Sequence, residues 1–378
     1  MKSAIIAPSR RAAAGFTIAE LLVSILVVVI ITLIATQLMS NASAIARTGN
    51  KHFDTDTQAR VVLDRMALDF GQMIKRTDVD YYVKQKVYKG HGNGHGCGAG
   101  RNNDLGSDQI AFYSHVPAYN PDPLTYSSTK QSPISLIAYR VNEGNDAARY
   151  GRLERMSKGL LWNGVSNNTG NGNGVYYPIV FQTGQIDSSC GGNTCPCNGT
   201  VGPWANAWKG AICNTNNSSD PDYEVIGPNV FRFEYYYMLK NGRVTDWPWD
   251  RFDMPTRQTI FYDPSYPQIK IGLSQIEAIA VSIAVIDPAS RTLVQQAASA
   301  NTAYGDIVDL AAELPDFKNS CGRGNGQRTL GSVELQWKGV IESIAQTGQP
   351  IQGGGKLFPP EAAKGIRVYT RYFDLKIW

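Results

Sequence analysis

Between Phe16 and Met39 the chain reads FTIAELLVSILVVVIITLIATQLM, an apolar run with one formal charge, Glu20, and neither proline nor glycine. At ~1.5 Å of rise per residue, about 20 such residues cross a hydrocarbon core of ~30 Å. Lys2, Arg10 and Arg11 precede the run, and the next basic residue is Arg47, so the positive-inside bias places the Met1 end in the cytoplasm. A cleavable secretory signal is one fate for such a segment, and Ala42-Ser43-Ala44 offers the small-residue cleavage pattern. A signal core has only ~7–15 apolar residues, however, and this run is longer and holds a carboxylate. An ordinary signal anchor accommodates length and orientation but leaves Glu20 without a reason. An ionisable group in lipid costs ~2.5–3.5 kcal/mol on insertion scales, and such groups are kept for function. Glu20 at the headgroup level, snorkelling, is the bland alternative.

The stretch Gly15-Phe16-Thr17-Ile18-Ala19-Glu20, followed by unbroken apolar sequence and preceded by a basic leader, resembles the class III signal of type IV prepilins. The resemblance covers about 30 residues and implies three things. A prepilin peptidase cuts between Gly15 and Phe16; the new Phe16 amine is methylated; and Glu20, fifth after the cut, serves assembly. Physical reasons stand beside each. Gly15 puts no side chain in the way of a protease at the cytoplasmic membrane face. In a filament core that excludes water, the Phe16 amine and the Glu20 carboxylate of a neighbouring subunit neutralise one another, where an uncompensated charge costs several kcal/mol.

Past Met39 the pattern turns amphipathic. Val62, Met66, Phe70 and Met73 recur at helical spacing with Leu63, Ala67 and Ile74 beside them, while Asp64, Arg65, Asp69 and Lys75 are expected on other faces. One helix is thus expected to begin in the membrane and end as the spine of a domain, with Gly49 a weak point. The expected division is a leader at 1–15, a membrane helix at 16–39, an amphipathic half at 40–76 and a β-rich periplasmic domain at 77–378. Strands are expected at Asp108–Val116, Pro133–Asn142, Tyr150–Met156, Val230–Leu239, Ile276–Ile286 and Ile366–Trp378. In the fourth, Phe231, Phe233, Tyr235 and Tyr237 share a face. In the fifth, the small face of Ala280, Ser282 and Ala284 is expected beneath the helix. Arg291–Ala300 and Ser332–Gln346 read as helical or ambiguous.

A long helix followed by an antiparallel sheet is an α+β, pilin-like arrangement. Overall size, Asp287-Pro288 after a late apolar strand and the closing Arg367-Val368-Tyr369 to Arg371-Tyr372-Phe373 stretch resemble the PilW family of minor pilins. That resemblance implies priming of pilus assembly and a place near the filament tip. Its implied partners are prepilin peptidase, the major and other minor pilins, a tip adhesin and the inner membrane, which the subunit leaves for the pilus. The J pseudopilin of type II secretion has a similar but shorter layout and stands as the alternative, with a signal-anchored periplasmic enzyme or binding domain as a reading of another class.

Asn- and Gly-rich insertions are expected near 89–107, 163–174 and 184–222. Cys97, Cys190, Cys195, Cys197, Cys213 and Cys321 all follow the apolar run, which suits disulfides in an oxidising compartment, at ~2–4 kcal/mol per bridge and with connectivity open. His91, His95 and Cys97 have ligand chemistry for zinc or copper, but their glycine-rich setting favours a loop, so neither metal nor cofactor is expected. Asn102–Asp108 and Ser218–Asp222 lack calcium-loop spacing and read as solvated turns. Trp204, Trp208, Trp247 and Trp249 read as local loop cores rather than a binding surface. Without Lys2, Arg10 and Arg11 the chain holds 33 basic against 32 acidic residues, and no basic stripe suggests nucleic acid. No G-x-S-x-G elbow, H-E-x-x-H pair or P-loop is present, so no catalytic role is expected.

Overall fold

From Ile18 the chain meets no proline before Gly71, and a single helix, α1, runs over Ile18–Gly71. This computed structural model describes residues 17–75, 82–84, 107–119, 131–144, 146–159, 223–245, 275–315, 317, 329–349 and 355–375. The chain divides into two compact units, Met1–Lys51 and His52–Trp378. The division falls beside Gly49, but α1 continues through it.

In the second unit, α1 changes character at Thr55, after which Ala59, Val62, Leu63, Met66 and Phe70 are buried. Each large apolar side chain removed from water contributes roughly 1.5–3 kcal/mol. Against this stripe lie two antiparallel sheets. The first has the order β1 (Tyr82–Lys84), β2 (Gln109–Ser114), β5 (Ser135–Val141), β6 (Leu153–Gly159), β7 (Tyr223–Gly227). The second has the order β11 (Ile366–Asp374), β10 (Ile276–Ile286), β8 (Val230–Leu239), β9 (Val244–Thr245). A short pair, β3 (Ala118–Tyr119) and β4 (Gln131–Ser132), stands apart in pairing. The expected Val230–Leu239 and Ile276–Ile286 strands have the observed bounds; the others shift by a few residues at their ends, as strand ends commonly do. The architecture is an N-terminal apolar helix with antiparallel sheets, an α+β arrangement.

One core forms between α1 and both sheets, from Ile110, Phe112, Ile137 and Tyr139 on one side and Phe233, Tyr235, Val281 and Ile283 on the other. Phe70 sits at the junction, with ring centroids 5.1 Å from Phe112 and 5.3 Å from Phe373. Where the sheets approach, Ser107 and Asp108 cover the open edge of β8: the Asp108 N–H donates to the Phe233 carbonyl at 2.8 Å, and the Asp108 carboxylate accepts from Tyr235 N–H at 3.1 Å. Asp108 is therefore buried and structurally committed, contrary to the solvated turn expected of Asn102–Asp108.

A second core lies on the opposite face of β8 and β10. It is built by α2 (Pro288–Ala300), α3 (Ile307–Glu313), α4 (Ser332–Thr347) and α5 (Pro360–Ala363), which follow β10 before the chain returns as β11. Asp287 starts α2 by accepting from Ala289 and Ser290 N–H at 3.1 Å, with Pro288 in the first turn. Two expectations are corrected here. The small face of β10, with Ala280 and Ala284, lies under these C-terminal helices, whereas α1 meets the large face of Ile279, Val281, Ile283 and Val285. Small side chains let a whole layer of helices approach the sheet, while one helix over a junction needs bulk to fill the space. Phe231 joins the second core instead of sharing a face with Phe233, because the register passes from Ala284↔Arg232 to Val285↔Val230 and leaves Phe231 in a β-bulge.

Candidate functional site

Ile18–Ser43 is long and apolar enough to cross a membrane, the one such helix among the described residues, and none of it is buried. Leu22, Val23, Leu26 and Val28 are each about 60% exposed, and Leu38 and Met39 more so. An exposed apolar run of this length is compatible with a membrane anchor or with a signal sequence. At ~1.5 Å per residue, its 26 residues exceed a ~30 Å hydrocarbon core.

The helix starts with a reciprocal cap. Thr17 N–H donates to Glu20 Oε2 at 2.9 Å, the Thr17 hydroxyl donates to the same oxygen at 3.0 Å, and Glu20 N–H donates back to Thr17 Oγ1 at 3.3 Å. Thr-x-x-Glu is the capping-box pattern, present in the sequence but hidden there behind the prepilin-like reading. Farther along, the hydroxyls of Ser24, Thr32 and Thr36 donate to the carbonyls of Glu20, Val29 and Thr32, one turn earlier in the helix, at 2.7, 2.8 and 2.7 Å. Glu20 is thus the only formal charge between Ile18 and Ser43, and its side chain is exposed.

The same helix is fastened to the sheets by a polar cluster that sequence reading misplaced. Asp69, expected on an outer face, is fully buried: Arg155 on β6 donates from Nε to Oδ2 at 2.6 Å and from Nη2 to Oδ1 at 2.9 Å. The Tyr139 hydroxyl on β5 donates to Oδ2 as well, and Arg65 lies 3.7 Å from Oδ1. A bidentate guanidinium compensates the buried carboxylate where the helix C-terminal dipole disfavours it. Nothing in the one-dimensional pattern marks Asp69, since its counter-charge lies 86 residues away. On the opposite face of β5 and β6, Arg140 and Glu154 pair at 2.9 Å with both side chains buried, and Asn142 donates to Glu154 at 3.0 Å. Toward solvent, Tyr369 on β11 donates to Asp56 and Thr55 of α1, and Arg371 pairs with Asp64.

These tyrosines make alkaline stability testable. Burial pushes the Tyr139 phenol well above its usual range and Asp69 adds to the shift; burial also raises Tyr236. Burial and the Asp56 hydrogen bond raise Tyr369 to about 12. A folded pKa above the unfolded value of ~10 stabilises fully below pH ~10, and that contribution is lost as pH rises through the folded value. The expected result is a melting temperature independent of these groups up to about pH 10 and falling above it, with Tyr369→Phe flattening the fall between about pH 10 and 12. Melting curves recorded across that range check it; a flat profile to pH 12 contradicts it.

Gly15, Phe16, all six cysteines, His91, His95 and the four loop tryptophans Trp204, Trp208, Trp247 and Trp249 lie outside the described residues, as do Ser218–Asp222 and the expected insertions apart from Ser107. Among the described residues no three His, Cys, Asp or Glu side chains gather as a metal-holding group. No protein-family model matches the chain, and no curated protein matches it either.

Proposed function

We propose that this chain is a minor pilin: a subunit that enters the inner membrane through α1, is cut between Gly15 and Phe16 by a prepilin peptidase, is methylated at Phe16, and joins a type IV pilus. The second unit then lies in the periplasm before assembly and at the pilus surface after it. Priming or tip assembly, beside other minor pilins and the major pilin, is the role that the PilW-like features suggest. The work is structural, and no cofactor is invoked.

The observation that carries this reading is a fully exposed 26-residue apolar helix bearing a single carboxylate in its first turn. A lipid anchor needs the apolar length and has no use for the charge. A helix that leaves lipid to pack among identical or related helices needs the length, and it can use the charge to neutralise the amine that cleavage creates.

Mass spectrometry of the protein extracted from membranes of its native host tests the reading. The expected N-terminus is methylated Phe16. An intact Met1 end, or a start after Ala44, overturns it.

A further inference from the structure

We propose that the outer edge of β11 is a docking site for an extended strand of another protein, one that carries acidic residues on the face it turns to Arg367 and Arg371. The pilin reading enters at one point only, where a second copy of this chain is set aside.

β11 ends the second sheet, and among the described residues no strand pairs with its outer side. Its nine residues exceed the three of β1, the five of β7 and the two of β9, which end the two larger sheets elsewhere. The register with β10 runs without a bulge from Ile366 to Asp374. Just beyond the two ends, Gly365 C=O accepts from Asp287 N–H at 3.0 Å and Leu375 N–H donates to Glu277 C=O at 2.9 Å. Antiparallel ladders alternate, so the odd-numbered residues bond β10, while Val368, Thr370 and Tyr372 turn N–H and C=O outward. Native sheets blunt such an edge with proline or a bulge, and Ile366–Asp374 has neither.

Apolar side chains line one face of this edge. Tyr236 and Tyr372 flank Ala280 in the sheet, and the Tyr236 hydroxyl accepts from Gly331 N–H, where α4 begins. Tyr372 and Leu330 are 45% exposed and Leu335 is 74% exposed. On the other face Arg367 is exposed, and Arg371, though paired with Asp64, keeps 41% of its side chain in solvent.

Three occupants compete for the edge. Residues 318–328 of this chain, which precede α4, read KNSCGRGNGQR and hold no β-branched or aromatic residue, so they make a poor strand. A second copy fails on direction or on charge. Asp56, Asp64 and Phe70 of α1 meet Tyr369, Arg371 and Phe373 in that order, so α1 and β11 run the same way. Antiparallel pairing of two β11 edges would therefore send the two α1 helices in opposite directions, whereas copies in one membrane or filament enter from the same side. Parallel pairing would gather Arg367 and Arg371 of both copies along one seam. The arginines thus bar an edge like their own and favour an acidic one. A strand from another protein meets the outward backbone groups by strand addition, with the side chains of its two faces setting specificity.

The test uses full-length, detergent-extracted protein and a labelled decapeptide that alternates valine and glutamate. Fluorescence anisotropy reads binding, and amide hydrogen exchange reads Val368, Thr370 and Tyr372. The peptide is expected to bind about tenfold more tightly than its valine–lysine counterpart and to slow these amides about tenfold at saturation. The same peptide with N-methylated backbone amides is expected not to bind. Thr370→Pro removes one outward N–H at a position where an edge strand tolerates proline. It is expected to melt with Thr370→Val, which shares the loss of the hydroxyl bond to Ser282, and to lose peptide binding that Thr370→Val keeps. No binding of the valine–glutamate peptide overturns the proposal, as does equal binding of the lysine or N-methylated peptide. Folded Thr370→Pro that binds like wild type overturns it too, and if that variant does not fold, the N-methylated peptide on wild type decides. Amides already slow without peptide also overturn it, in a monomer in favour of a segment of this chain and in a dimer in favour of a second copy. Wild-type protein that retains Met1 overturns the pilin reading and leaves peptide binding at the edge standing.

Discussion

Asp69→Ala is expected to lower the stability of the second unit by about 3–5 kcal/mol, the range for removing one partner of a buried ion pair. The loss is large because Arg155 stays behind with 3% of its side chain exposed, and its remaining acid, Glu224, is 4.0 Å away and mostly in solvent. Tyr139 loses the acceptor of its buried hydroxyl at the same time. Asp69→Asn retains shape and an acceptor for Tyr139 but leaves the guanidinium only the solvated Glu224 at 4.0 Å, so it falls between wild type and alanine. An Asp69→Leu, Arg155→Met double variant is expected to recover much of the loss, since it removes both charges together. Urea unfolding in detergent, followed by tryptophan fluorescence, measures the series at unchanged denaturant slope. A loss under about 1 kcal/mol for Asp69→Ala contradicts the account, which treats the pair as an obligate fastening of α1.

Trp337→Ala is expected to cost about 3–5 kcal/mol by cavity formation in the second core. Trp337 is 0% exposed, its indole N–H donates to the Pro315 carbonyl at 2.8 Å, and Arg232 lies 5.5 Å from its ring. Truncation therefore removes packing, a hydrogen bond and a cation–π partner together. The effect is expected to be local in character: hydrogen exchange should accelerate in α2, α3 and α4, while β10 stays protected by α1 on its other face. Uniform loss of protection through both cores contradicts the view that they are separable layers. Trp337→Phe is expected to cost less, because the ring volume is largely kept and chiefly the Pro315 contact is lost.

The elements most readable from the amino acids alone are those whose residues repeat a simple period. Val230–Leu239 and Ile276–Ile286 alternate over ten or eleven residues and have the expected bounds. The Val62–Met66–Phe70 stripe is buried as its spacing requires. Period, however, assigns residues to faces without saying what covers each face. Ala280 and Ala284 were legible as a small face, but their partners are helices of the C-terminal excursion, which carry weaker signals. Ile307–Glu313 is too short for periodicity to announce, and it forms around an Asp306–Asp309 capping box. Phe231 changes sides through a bulge that no alternation rule anticipates. Asp69 looks like any surface acid until Arg155 and Tyr139 arrive from strands remote in sequence. At the N-terminus the reverse holds, for Thr17 and Glu20 stand three apart and their capping pattern is visible in the primary structure.

The departure of the chain from β10 and its return in β11 carries a further consequence. Ile286 and Ile366 are register partners, so about eighty residues leave and rejoin the sheet at one rung of the ladder. Closing a loop of that length costs roughly 3 kcal/mol more than a tight hairpin, a modest sum beside the apolar area gathered around Trp337. Because it starts and ends on one rung, a change of length within the excursion leaves the β10–β11 register untouched, provided that the side chains it packs on β8 and β10 are kept.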